Sequence, residues 1–188
     1  ILGIIIGIAG LCLCCLCSAL VMGTVGMSQF AGYLEQNMTQ DPQAVEAQAA
    51  KMASFDVPEG YKPMMSTDIM GISMVGYQGE QPDSMIVFMQ YPAYAELSSR
   101  QMQEQMQMAL RSRSFNFGAM EAVDQVETTI KGQPATLIVS QAEDPQNGRL
   151  RQVVTTFEGN NGVVMLMIMG REGTWDQEAV DAFLASIR

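Results

Sequence analysis

Six residues, Cys12-Leu-Cys-Cys-Leu-Cys17, hold all four cysteines of the chain, and thiolates packed this closely suit soft metals and iron–sulfur centres. On a helix, however, Cys14 and Cys15 point about 100° apart, so one helix cannot aim four thiols at one metal. Small, buried, apolar cysteine fits the pattern, with palmitoylation at a membrane edge as the alternative. The chain has 17 methionines, and Met165-x-Met167-x-Met169 would set three thioethers on one face of a strand, with Met102, Met106 and Met108 on a helix. Thioethers bind Cu(I), but both sets sit in apolar patterns where methionine fills cores, and no histidine or cysteine stands beside them. Two R-x-R pairs, Arg111 with Arg113 and Arg149 with Arg151, would form an anion or partner contact if the fold brought them together.

The chain contains no histidine, which removes every imidazole base, imidazole metal ligand and histidine pH switch. The acidic residues are spread singly, without the spacing of a calcium loop, and no glycine-rich phosphate loop follows a strand. Lys51, Lys62 and Lys131 would be needed for a Ser-Lys dyad, and no motif accompanies them. A non-catalytic protein without a cofactor is the expectation. Ten basic residues against twenty acidic ones give a net charge of −10, which opposes nucleic acid.

Only 16% of the residues are charged although 48% are hydrophobic, and the shortfall is local: residues 1–34 carry no charge. Ile1 to Met27 is apolar and as a helix would span about 40 Å, more than the roughly 30 Å hydrocarbon core of a bilayer. The apolar stretch is too long for a cleaved signal peptide, so a retained single-pass transmembrane helix is expected. Gly3, Gly7, Gly10, Cys14 and Cys17 recur at spacings of four and three, and Ala19 and Gly23 extend a second small-residue run with Cys15. In lipid such a face admits a neighbouring helix to backbone contact, so integral membrane subunits are the expected partners. No lysine or arginine precedes Lys51, which fits an extracytoplasmic C-terminal domain.

After a polar stalk and a short helix (residues 28–53), opened by Asp41-Pro42 as N-cap and first helical position, the pattern becomes that of a sheet domain over 54–188. Strands are expected at Ser54–Val57, Tyr61–Met65, Gly71–Gln78, Ser84–Gln90, Val123–Lys131, Pro134–Gln141, Arg149–Glu158 and Val163–Met169. Ser84–Gln90 and Val163–Met169 are continuously apolar and therefore central. A helix is expected from about Ala93 to Arg111, and a second near the C-terminus, where Thr174 to Gln177 has capping-box spacing and Val180, Phe183, Leu184 and Ile187 share a face. Strands apolar on both faces call for cover on both sides, so the expected fold class is α+β: one N-terminal transmembrane helix and an α/β/α sandwich with an antiparallel sheet.

Ser54-Phe-Asp-Val-Pro-Glu-Gly-Tyr61, Ile130-Lys-Gly-Gln-Pro-Ala135 and Ala182-Phe-Leu-Ala-Ser-Ile187 resemble the PsbP-like fold family, which includes the photosystem II extrinsic protein and DcrB-type envelope lipoproteins. No catalytic motif comes with the resemblance. It implies a membrane-associated accessory or assembly protein, and the transmembrane anchor is a departure from it. The sequence therefore predicts an accessory or scaffolding subunit of a larger membrane complex, photosynthetic or respiratory, with an anchored envelope domain that binds a small ligand or peptide as the alternative.

Overall fold

Strand alternation organises the protein. The computed structural model describes residues 38–69, 71–81, 83–92, 121–144 and 148–188. They form strands β1 (Met38–Thr39), β2 (Lys62–Ile69), β3 (Ile72–Gln78), β4 (Met85–Gln90), β5 (Glu121–Ile130), β6 (Gln133–Asp144), β7 (Gly148–Gly159) and β8 (Gly162–Arg171), with helices α1 (Pro42–Met52) and α2 (Gln177–Ser186). All eight strands belong to one sheet in the order β1-β2-β3-β4-β8-β7-β6-β5, and the pairs from β2 to β5 are antiparallel. The two apolar strands, β4 and β8, lie side by side in the middle, where a strand is buried from both sides.

One sheet face carries the core. Val75, Tyr77, Ile86, Phe88, Leu166 and Ile168 point toward it, and α1 contributes Val45, Ala49 and Met52 while α2 contributes Phe183 and Leu184. Phe55, in the segment after α1, stacks on Phe88 at 4.4 Å and meets Tyr77 and Phe183 edge-on at 5.9 Å each. Burying rings of this size in one cluster supplies a large share of the apolar stabilisation.

One correction follows. The expected α/β/α sandwich is not what the described residues form: they make an eight-stranded antiparallel sheet with two helices, both packed into the core cluster. Both described helices pack on one face, and the described residues of the opposite face are half-buried methionines together with Val87, Val163 and buried Thr67 and Gln152. Nor is any helix among the described residues long and apolar enough to cross a membrane. The segment Ile1 to Met27 with its small-residue stripe, the helix expected over 93–111, Met102, Met106, Met108, Arg111 and Arg113 all lie outside the described residues.

Two local readings also change. Ser54–Val57 is not a strand; Ser54 instead exchanges two backbone hydrogen bonds with Arg188, at 3.0 and 2.7 Å. The terminal helix is capped by Asp176, whose carboxylate accepts from the Ala179 amide at 2.9 Å, because Thr174 is spent in a 3-10 turn over Glu172–Thr174. The first helix begins as read, with Asp41 accepting from the Gln43 amide at 3.0 Å and Pro42 at its first position.

Turn chemistry sets the registers. Lys131 and Gly132 both take positive φ, 54° and 74°, as a two-residue hairpin requires. In the β7–β8 hairpin, the Asn160 amide donates to the Met52 carbonyl at 2.7 Å and the Asn161 side chain to the Lys51 carbonyl at 2.9 Å. The hairpin thus caps the end of α1, and Gly159 permits the approach, since a Cβ there would lie 2.8 Å from the Met52 carbonyl oxygen.

Candidate functional site

At one end of the core face, three segments distant in sequence enclose a cleft of about 580 Å³. The first is the turn Pro58–Tyr61, closed by the Tyr61 amide donating to the Pro58 carbonyl at 3.2 Å, with Gly60 at φ +83°. Only glycine takes that conformation without cost, and its lack of a side chain leaves room for Glu80, whose Cγ would lie 3.2 Å from a Cβ at position 60. The second is the β3–β4 loop, held by the Gly79 amide on the Ser84 carbonyl at 2.8 Å and by Gln78 Nε2 on the Gln81 and Ser84 carbonyls at 2.8 and 3.0 Å. The third runs from the end of β8 through the 3-10 turn into α2, and Ile86, Ile168 and Phe183 form the apolar floor.

The chemistry of the cleft comes from two aromatic rings and three carboxylates. Tyr61 and Trp175 line it, as do Glu59, Glu80 and Asp176. The Tyr61 hydroxyl is 2.7 Å from Ser84 Oγ, so the two hydroxyls share a hydrogen bond, and the Trp175 indole donates to Gln177 Oε1 at 3.0 Å. Among the described residues no lysine or arginine lines the cleft. A site with carboxylates at its rim and aromatic rings in its wall attracts a cation with an apolar body, through Coulomb attraction and apolar contact.

The second R-x-R pair lies next to this wall and does different work from an open clamp. Arg149 is held by Glu143 at 2.6 Å and Glu172 at 3.1 Å, and its guanidinium pKa is raised first by the hydrogen bond to Glu143 and then by the charges of Glu143 and Glu172. Arg151 stands with its guanidinium carbon 5.2 Å from the centre of the Trp175 ring and donates to Gln177 at 3.3 Å. Arg171 pairs with Asp83 behind the loop. These arginines support the 3-10 turn and the indole. The sequence reading missed Trp175, Tyr61 and the three carboxylates because they stand in three separate turns that only the fold brings together; the one available signal was that the only tryptophan of the chain directly precedes a helix cap.

Elsewhere, the lysine ammonium of Lys51 meets the Gln48 amide oxygen at 3.0 Å and that of Lys131 meets Asn160 Oδ1 at 3.1 Å. Among the described residues no group of three His, Cys, Asp or Glu side chains is placed to hold a metal ion.

No protein-family description matches the chain, and no curated protein matches it in sequence. Neither comparison identifies a PsbP-like family.

Proposed function

We propose that this protein is a membrane-anchored, non-catalytic accessory subunit whose sheet domain binds a small cationic ligand, or the cationic side chain of a peptide, in the Tyr61–Trp175 cleft. The convergence of two aromatic rings and three carboxylates on one cavity, with no lysine or arginine among its described lining residues, carries the reading. Non-catalytic function is supported by chemistry: the hydroxyl partner of Ser84 is Tyr61, a pair with no imidazole anywhere in the chain to serve as its base. The anchor rests on the uncharged apolar stretch Ile1 to Met27, its small-residue stripe supports contact with integral membrane subunits, and the lack of lysine and arginine between Met27 and Lys51 supports an extracytoplasmic domain.

Native mass spectrometry of the protein, extracted from its own membrane in mild detergent, tests the reading. The expected spectrum contains a non-covalent adduct of a cationic molecule or peptide that Trp175→Ala abolishes. A bare chain, or an adduct that survives Trp175→Ala, contradicts it.

A further inference from the structure

The described methionines that looked like core filler, Met165, Met167 and Met169, are not in the core. The core cluster contains one, Met52, whereas Met165, Met167 and Met169 alternate with Val164, Leu166 and Ile168 along β8 and stand half-buried on the opposite face. The register then brings others to them. Met74 of β3 lies directly opposite Met89 of β4, and Met89 lies directly opposite Met165 of β8. Three thioethers thus stand in one row across three adjacent strands, with neighbouring Cβ atoms about 4.5–5.5 Å apart as in any directly opposed pair. Four residues further along the two strands, Met85 faces Met169.

This row is not a dry apolar layer. The Tyr91 hydroxyl donates to Met89 Sδ at 3.1 Å, and Gln152 Nε2 donates to Met167 Sδ at 2.6 Å in the next row. The row continues onto β2 at Thr67, opposite Met74, and the Thr67 hydroxyl is buried without a hydrogen-bond partner. Methionine has three rotatable bonds, so the outer two side chains can lean over the central one. Neutral thioethers select soft, monovalent d10 cations and discriminate against hard divalent ones, and a chain charge of −10 favours any cation's approach.

We propose that Met74, Met89 and Met165 form a three-thioether site for a soft monovalent cation of the Cu(I) class. The step is ligand exchange alone, with no change of oxidation state.

Ag(I), which is redox-inert, is the probe. The full chain in detergent has its cysteine thiols alkylated, since Cys12 to Cys17 would otherwise take the metal, and the methionine methyl groups carry 13C. One equivalent of Ag(I) is expected to shift three methyl resonances together, those lost in Met74→Leu, Met89→Leu and Met165→Leu. Each of these volume-conserving variants is expected to weaken Ag(I) retention against a competing chelator at least tenfold, while Met52→Leu, on the core face, leaves it unchanged. Shifts spread over all methionines without saturation, or confined to Met102, Met106 and Met108, overturn the site. So does failure of the wild-type chain to retain one equivalent, a result that needs no variant to fold.

Discussion

Trp175 is held from several directions: its ring lies 3.5 Å from the position of a Cβ on Gly170, Arg151 covers it, and Gln177 accepts its N–H. Arg151→Gln is therefore expected to loosen the indole, which a red shift of the single tryptophan's fluorescence would report, without unfolding the sheet. Tyr77 makes a different kind of prediction. Burial, helped by the charge of Glu46, pushes its phenol from 10.0 up to about 12. Between those values the unfolded chain has released a proton that the folded chain still holds, so stability is intact below pH 10 and falls as pH rises through 12. The loss is roughly 2 kcal/mol over that window. Denaturant melts from pH 9 to 12 should show it, and Tyr77→Phe should flatten it to the remainder due to Tyr91, whose phenol burial also raises.

At the scale of elements, caps and close approaches dominate. Asp176→Ala removes the acceptor for the Ala179 amide and should cost about 1 kcal/mol while moving the N-terminus of α2, which forms one wall of the cleft. Gly159→Ala should cost more, because the added methyl meets the backbone of Met52 and the side chain of Val164 at 2.4 Å. Thermal melts of the two variants give the order. Elements were legible where one residue type forces the outcome: Asp41-Pro42 for α1, Lys131-Gly132 and Asn160-Asn161 for hairpins, and unbroken apolar runs for β4 and β8. The destination of each side chain was not. Leucine and methionine both count as apolar, so Val163-Val-Met-Leu-Met-Ile-Met169 hides the alternation by which Leu166 enters the core and Met165 leaves it. Thr174 failed as a cap because the 3-10 turn consumed it.

For the whole molecule, the sheet's central strands and the Phe55–Phe88–Phe183 cluster make a single cooperative core. Phe88→Ala is expected to cost about 3–5 kcal/mol, a large fraction of a domain's total stability, read as a shift in denaturation midpoint. At the far edge, β5 exposes almost its whole length, including Val123 and Val126, yet Glu121, Asp124 and Glu127 place charges along it, as edge strands that resist pairing commonly do. The cleft lies away from that edge, between residues brought together only by the antiparallel return of β8 beside β4, which is why sequence order gave no hint of it. Its single tryptophan makes the decisive measurement possible: fluorescence titration of the full chain with phenethylamine and with 2-phenylethanol, which differ in charge but scarcely in shape. A saturable change with the amine alone, weakened at least fivefold by Glu80→Gln, is the predicted result. An equal response to both molecules, or none to the amine, would contradict a cleft built for a cation.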